Sequence, residues 1–114
     1  MTHIYKIISQ SEWRAAEAAG LFNGAAVDLT DGFIHFSTAE QVEETAARYF
    51  AGQTDLLLVA VDFTKLGEAL RWEISRGGAP FPHLYAPLSL ETVARVDPLP
   101  LGADGRHDFS AVLK

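Results

Sequence analysis

The sequence predicts an α+β domain, with helices in the first half of the chain and strands in the second half. Two Ser-x-x-Glu capping boxes, Ser9 with Glu12 and Ser37 with Glu40, each open a segment in which apolar residues recur at helical spacing. From residue 56 onward, short aliphatic and aromatic runs are separated by Gly and Pro, which is typical of strands and turns. This order does not alternate strand with helix, so it disfavours a parallel βαβ sheet.

The first strand is predicted over residues 4–8, where apolar residues surround one lysine. The capping box at Ser9 then opens an Ala-rich helix that Gly20 ends, with Trp13 and Ala16 forming its buried stripe.

Residues 21–29 are less regular, and the Asn-Gly pair within them marks a turn. A short strand at residues 33–36 follows the turn pair Asp31-Gly32. A second helix over residues 38–50 begins at the Ser37 cap and stops before Gly52. The fold class is therefore α+β with two helices in the N-terminal half.

The second half begins with residues 56–62, whose continuous apolar character predicts a strand buried on both faces. Residues 69–74 alternate apolar with charged side chains, which predicts a second strand with Trp72 in the core. Two glycines and two prolines predict a loop over residues 77–82.

A short strand at residues 83–85 is cut off by Pro87, and a last strand within residues 89–96 ends before Pro98. Residues 1–101 are expected to form a single domain, and residues 102–114 a mobile C-terminal tail.

Composition excludes several classes of function. The net charge of −6, with scattered basic residues, argues against a nucleic-acid surface. Because the chain has no cysteine, thiol catalysis and Cys-ligated metal sites are excluded. No apolar run approaches the roughly 20 residues that span a bilayer, and no signal peptide is recognisable. We expect a cytoplasmic protein with a small-molecule ligand; the sequence leaves its oligomeric state open.

Three predicted strands each carry a pair of polar residues at alternating positions, so each pair lies on one strand face: His35 with Ser37, Arg71 with Glu73, and His83 with Tyr85. If these faces converge, they form a cleft suited to acid–base or glycosyl-transfer chemistry, with Phe33 beside it. His35 and Glu73 are then the candidate catalytic residues. Phe33, Ser37, Arg71, His83 and Tyr85 are the candidate ligand-binding residues.

Each candidate also has a purely structural interpretation. His35 would be a half-buried histidine bonded to the backbone, and Ser37 a helix cap. Arg71 and Glu73 would form an exposed ion pair worth at most about 1 kcal/mol. His83 and Tyr85 would anchor the preceding Gly/Pro loop.

Two further sites stay open as weaker alternatives. His35, His83 and Glu73 could bind a metal ion, although their spacing is not that of a known metal motif, and we predict none. The pair Gly77-Gly78 beside Arg76 could receive a phosphate on its backbone amides.

The segments Asp31-Gly32-Phe33-Ile34-His35-Phe36-Ser37, Arg71-Trp72-Glu73 and Phe81-Pro82-His83-Leu84-Tyr85-Ala86-Pro87-Leu88 resemble the domain-of-unknown-function 952 family, mainly bacterial and biochemically uncharacterised. The resemblance covers the chain from Ile4 to about residue 97. It implies a fold like that of the ADP-ribosyltransferases, in which two small, strongly bent antiparallel sheets face each other across a cleft that holds NAD.

The residues from His35 to Ser37 also resemble a strand and helix cap of the RNA 2′-phosphotransferases, which use this fold and cleave NAD. The resemblance implies a cleft for NAD or an ADP-ribose-like nucleotide, in which His35 would hold a ribose hydroxyl. Phe33 or Tyr85 would stack on a ring, and Glu73 would stabilise an oxocarbenium-like transition state. Tyr5 and Lys6 occupy the early-strand position at which the enzymes carry His or Arg. The alternative is a non-catalytic module that binds another metabolite or a peptide in the same cleft.

Overall fold

The structure of the protein, a computed structural model, describes residues 2–75 and 78–113. Within these residues it is an α+β fold of three helices and three small antiparallel sheets. The elements in chain order are β1 (His3–Ser9), α1 (Gln10–Ala19), β2 (Leu21–Phe22), α2 (Ala26–Asp31), β3 (Ile34–His35), α3 (Ala39–Tyr49), β4 (Leu56–Asp62), β5 (Leu70–Ile74), β6 (Pro80–Leu84), β7 (Leu88–Ser89) and β8 (Val93–Leu99).

The first sheet has the order β1-β4-β8, and its middle strand is the apolar segment predicted to be buried on both faces. One face carries Ile8 and Val59 into a core shared with α1. The other face carries Ile7 and Leu58 into a second core beneath α3. Because both faces are covered, β4 needs no polar alternation, which confirms the prediction for this strand.

The predicted start and end of α1 are confirmed. Ser9 is the N-cap, and its hydroxyl accepts a hydrogen bond from the Glu12 backbone N–H at 3.2 Å. The helix ends at Gly20, whose φ of 79° is the left-handed conformation that glycine adopts without strain.

The predicted cap of α3 is wrong by one residue. Ser37 stays extended because its backbone exchanges two hydrogen bonds with Tyr5, at 2.8 and 2.9 Å. The N-cap is therefore Thr38, whose N–H donates to the Gln41 side chain at 3.0 Å. The pairing between β1 and the extended chain at Ser37 overrides the local Ser-x-x-Glu signal.

Helix α2 is a third helix that the sequence analysis did not predict. It begins after Ala25, which cannot cap a helix with its side chain; instead the Asp28 carboxylate accepts the Ala25 N–H at 2.8 Å. It ends at Gly32, with φ of 87°, so the predicted Asp-Gly turn is the C-terminal cap of this helix.

The second three-stranded sheet, β3-β6-β5, differs from the prediction at its prolines. Residues 80–82 were predicted as loop but belong to β6, where the Pro82 carbonyl accepts a hydrogen bond from the Phe36 N–H at 3.0 Å. In the first sheet, β8 was predicted to end before Pro98 but continues through it, because β8 is an edge strand, where a missing N–H costs least.

Trp72 is a second correction in this sheet. It lies on the edge strand β5 and is 45% exposed, with its ring packed edge-on against Phe63, so the prediction that it is a core residue is wrong. At the C-terminus, where the sequence predicts mobility, Phe109 and Val112 lie buried in the core beneath α3.

Candidate functional site

The sheet β3-β6-β5 brings together one or both members of each predicted polar pair, namely His35, Arg71, Glu73 and His83. His35 lies directly opposite His83, and His83 opposite Arg71. Glu73 follows two residues after Arg71 and therefore shares its face. The intervening residues Ile34 and Leu84 lie in the core on the opposite face. The face that bears the two histidines is called the histidine face below.

His35 lies between two carboxylates of α2. Its Nδ1 is 2.6 Å from Asp28 Oδ1, and its Nε2 is 2.9 Å from Asp31 Oδ2. A neutral imidazole has a single N–H and can donate to only one of them. Asp28 also accepts the His35 backbone N–H at 3.1 Å, so Asp28 fixes the position of the ring, whereas the Asp31 side chain is 43% exposed and can be displaced.

Asp28 is the most constrained polar residue of the site. It is only 2% exposed; the Lys6 ammonium donates a hydrogen bond to its Oδ1 at 3.0 Å and lies 2.9 Å from its Oδ2. Burial alone would raise the pKa of Asp28, but the hydrogen bond from His35 and the charge of Lys6 lower it to about 2. Burial lowers the pKa of Lys6 against the opposing effect of Asp28. The site thus rests on a buried ion pair between β1 and α2.

Phe33 is the centre of an aromatic cluster on the histidine face. Its ring stacks on His83 at a centroid distance of 4.2 Å and also contacts His35 at 4.6 Å and Tyr85 at 5.2 Å. The Arg71 guanidinium lies over the Tyr85 ring, 5.2 Å from its centroid. The packing of these rings limits how far either imidazole can rotate.

A second histidine–carboxylate pair lies beside the first. Glu73 Oε1 is 2.7 Å from His83 Nδ1 and accepts the Tyr85 hydroxyl at 2.7 Å. These hydrogen bonds, that from Tyr85 first, lower the pKa of Glu73, and the same bond raises the pKa of Tyr85. Glu73 therefore orients His83 through Nδ1.

A cavity of about 530 Å³ opens at the histidine face and is called the histidine cavity here. Of the predicted site residues, His35, Ser37 and His83 line it. Phe33, Arg71, Glu73 and Tyr85 are not among its described lining residues. Phe33 and Glu73 contact the histidines directly, whereas Tyr85 contacts Phe33 and Glu73, and Arg71 lies over Tyr85. The described lining residues are Tyr5, Lys6, Ile7, Val27, Asp31, His35, Phe36, Ser37, Thr45, Tyr49, Phe50, Ser75, Phe81 and His83.

Ser37 contributes a hydroxyl to the cavity wall rather than a helix cap. Its Oγ lies 3.1 Å from Thr45 Oγ1, which joins the chain after β3 to the second turn of α3. The wall of the cavity is therefore built by both three-stranded sheets and by α2 and α3.

The sequence analysis missed the two aspartates of the site. Asp31 was interpreted as part of a turn, and Asp28 was given no role. The sequence does contain a signal: Asp28 and Asp31 lie seven and four residues before His35. This spacing indicates contacts with His35 only once α2 is known to lie beside β3.

Among residues 2–75 and 78–113, no three His, Asp or Glu side chains are arranged to hold a metal ion. Of the predicted phosphate site, the pair Gly77-Gly78 beside Arg76, residues 76 and 77 lie outside the residues that the structure describes. A second cavity of about 510 Å³, between α3 and the C-terminal segment, is lined by Glu43, Glu44 and Arg106 but has none of the predicted site residues.

No helix in the described part of the chain has the length and apolar character needed to cross a membrane.

Replacement of Gly24 by Ala is expected to disturb Asp28. Gly24 has a φ of 123°, and a Cβ added there would lie 2.9 Å from the Asp28 Cβ. We expect a loss of about 1–2 kcal/mol in the free energy of unfolding, measured by urea denaturation. The control is Gly20→Ala, where φ is also positive but nothing lies within 4 Å. Equal losses in the two variants would show that crowding of Asp28 adds nothing.

Comparison with known proteins agrees with this architecture. The crystal structure of protein CC0527 from Caulobacter crescentus is 56% identical, covers 98% of both chains and superimposes with a TM-score of 0.94. The solution NMR structure of CC0527 is 55% identical over the full length of both chains, with a TM-score of 0.88. No curated protein matches. The family model described as "Protein of unknown function (DUF952)" matches residues 7–96, and the chain therefore belongs to the DUF952 family.

Proposed function

We propose that the protein binds NAD or an ADP-ribose-like nucleotide in the histidine cavity. One observation carries this proposal: two histidine–carboxylate pairs lie side by side on one sheet face, packed under a single phenylalanine ring. Paired imidazoles next to an aromatic ring suit a ligand that combines ribose hydroxyls with a planar base.

His35 is the proposed ribose-binding residue. Its Nε2 faces Asp31, the more exposed of its two carboxylate partners. A ribose hydroxyl can replace Asp31 at Nε2, because Asp28 continues to hold Nδ1 and keeps the ring in place. Asp31 remains close enough to accept a second hydrogen bond from the sugar.

His83 is the proposed partner for the reacting end of the ligand. When the glycosidic bond of NAD breaks, nicotinamide leaves with the bonding electron pair and the ribose carries a positive charge until water attacks it; nearby carboxylates and polarised imidazoles stabilise that charge. Because Glu73 lies behind His83, we assign it a positioning role through Nδ1 rather than direct contact with the sugar. Asp31 then supplies the carboxylate nearest to the ligand.

The proposal extends to the fold. The sheets β1-β4-β8 and β3-β6-β5 both contribute to the cavity wall, through Tyr5 and His83 for example. Two small antiparallel sheets around one cleft support an ADP-ribosyltransferase-like fold. A cytoplasmic location and a bacterial origin are part of the same proposal; the lack of cysteine is compatible with a reducing compartment.

The second candidate is a non-catalytic binding module that keeps the cavity but does not cleave its ligand. The position of Glu73, outside the described lining of the cavity, favours this alternative. The two differ in one measurement: the enzyme releases nicotinamide from NAD above background, whereas the module binds without release.

The binding proposal is tested by titrating NAD and ADP-ribose into ¹⁵N-labelled protein. We expect the amide resonances of residues 34–37 and 83–85 to move in a saturable way. His35→Asn should weaken binding about tenfold, the loss expected when a good hydrogen bond to the ligand is removed. The matched control is His107→Asn, because His107 lies outside the cavity and contacts the Gln53 carbonyl.

Two outcomes would overturn the proposal. The first is that no amide moves at millimolar ligand. The second is that His35→Asn and His107→Asn weaken binding equally, since the histidine face would then have no special part in recognition.

A further inference from the structure

The strand β5 lies at the edge of the sheet β3-β6-β5, and its outer side is open. Among residues 2–75 and 78–113, no other strand pairs with that side. Arg71, Trp72 and Ile74 of this strand are exposed, Ile74 by 71%. Exposed backbone groups beside apolar side chains are the features by which another strand adds to a sheet. The outer side of residues 70–74 is called the β5 edge below.

The pairing of β5 with β6 shows which backbone groups point to the β5 edge. Trp72 lies opposite Pro82, which has no N–H and whose carbonyl is bonded at 3.0 Å to the chain after β3, away from β5. The N–H and C=O of Trp72 therefore point outward, and because direction alternates along a strand, so do those of Leu70 and Ile74. The Leu70 N–H already donates to the Gly67 carbonyl, so pairing at this edge ends at Leu70.

The sequence of β5 is self-complementary. Residues 70–74 read Leu-Arg-Trp-Glu-Ile, so a two-fold axis at Trp72 brings unlike charges together in an antiparallel pair. Arg71 then lies opposite Glu73 of the partner subunit, and Leu70 lies opposite the partner's Ile74. Each Trp72 N–H would donate to the other Trp72 carbonyl, and each Ile74 N–H to the partner's Leu70 carbonyl.

The two charged residues of β5 can still bind such a partner. Arg71 lies over the Tyr85 ring, and no carboxylate of the described residues forms an ion pair with it. Glu73 accepts the Tyr85 hydroxyl on Oε1, the oxygen that also lies at His83, which leaves Oε2 for a further donor. In this register Arg71 and the partner's Glu73 form a non-hydrogen-bonded pair, the arrangement in which opposite side chains lie closest.

The edge strand β8 lacks these properties. It contains Pro98, and its register against β4 is interrupted between Ala60 and Val61. Prolines and bulges on an edge strand hinder the addition of another strand. The Arg95 guanidinium is already paired with Asp97 of the same strand at 3.0 Å.

From these observations we propose that β5 pairs with β5 of a second copy of this chain. Two sheets β3-β6-β5 then join into one antiparallel sheet across a two-fold axis, with both histidine faces on the same side. The inference does not depend on the proposed ligand. Because the paired segment is short, we expect a weak dimer with a dissociation constant of about 10–100 µM.

Sedimentation equilibrium of the full chain, from about 5 to 500 µM, should show a reversible monomer–dimer equilibrium in this range. Ile74→Lys should raise the dissociation constant at least about tenfold, because a lysine on an edge strand opposes pairing. It should leave the subunit folded, since Ile74 is largely exposed. The matched control is Val96→Lys, because Val96 is the exposed apolar residue of the edge strand β8 and should not affect the dimer.

A charge exchange tests the register itself. Arg71→Glu places two carboxylates opposite each other, and Glu73→Arg places two guanidinium groups opposite each other, so each variant alone should be monomeric. In an equal mixture the two variants restore unlike pairs at both contacts and should form a heterodimer. Circular dichroism checks that each variant is folded; if Glu73→Arg does not fold, Ile74→Lys and Arg71→Glu decide the question.

Three results would overturn the inference. The first is a wild type that stays monomeric over the whole concentration range. The second is a dimer that Ile74→Lys leaves intact or that Val96→Lys weakens equally, since the contact would then lie elsewhere. The third is a mixture of the two folded charge variants that does not associate. In none of these cases is the proposed nucleotide site affected.

Discussion

Replacement of Asp28 by Asn is expected to lower the free energy of unfolding by about 3–5 kcal/mol, the cost typical of removing one partner from a buried ion pair. Lys6 would lose its carboxylate partner in a site that is only 7% exposed, and the new amide group would turn an N–H₂ donor toward it. Equilibrium urea unfolding, followed by tryptophan fluorescence, measures the loss.

Two further variants identify the cause of that loss. Asp31→Asn changes the other carboxylate partner of His35, but the Asp31 side chain is 43% exposed and its loss should cost about 1 kcal/mol or less. The double variant Lys6→Met with Asp28→Asn should recover much of the stability, because no unpaired charge is left in the core. Similar losses for Asp28→Asn and Asp31→Asn, with no recovery in the double variant, would contradict the role of the ion pair.

The same substitution should act on the candidate site as well as on stability. Asp28 Oδ1 lies 2.6 Å from Nδ1 of His35 and accepts the His35 backbone N–H at 3.1 Å, so Asp28 orients the ring. The ion pair of Lys6 with Asp28 stabilises the core and also fixes the His35 ring, so ligand binding at the proposed site would depend on the same residues as stability. This is the physical reason to interpret Lys6 and Asp28 as the support of the site rather than as ligand-binding residues.

The strands and the shared face of the polar pairs could be predicted because strand geometry is local. Period-two alternation assigns His83 and Glu73 to the faces of their strands without knowledge of any neighbour. Likewise, the apolar run of β4 predicts burial on both sides. The convergence of these faces required only that the strands share one sheet, which β3-β6-β5 provides.

The aspartates of the site could not be predicted because their roles depend on distant parts of the chain. Lys6 and Asp28 are 22 residues apart, and nothing local relates a lysine in an apolar strand to an aspartate in an irregular segment. Helix α2 lacks the usual cap signal, since Ala25 precedes it and Asp28 supplies the cap from within. Trp72 was misassigned for a similar reason: alternation gives its face but not its place on a sheet edge.

Acid should remove about 2 kcal/mol of stability through Asp28 alone. The folded protein lowers the pKa of Asp28 from its ordinary 3.8 to about 2, so below pH 4 the unfolded chain binds a proton at this position before the folded chain does. The stabilising contribution is therefore complete above pH 4 and is lost as the pH falls toward 2.

Comparison with Asp28→Asn isolates this contribution, because Asp62, Glu73 and Asp108 also have lowered pKa values and lose stability in the same direction. Their effects are common to both proteins and cancel in the difference. The stability gap between wild type and Asp28→Asn, from urea unfolding at pH 5 and pH 2, should therefore shrink by about 2 kcal/mol. If the difference in unfolding free energy between the two proteins is the same at both pH values, Asp28 is not held ionised by Lys6 and His35. The interpretation that this buried ion pair supports the histidine face would then be wrong.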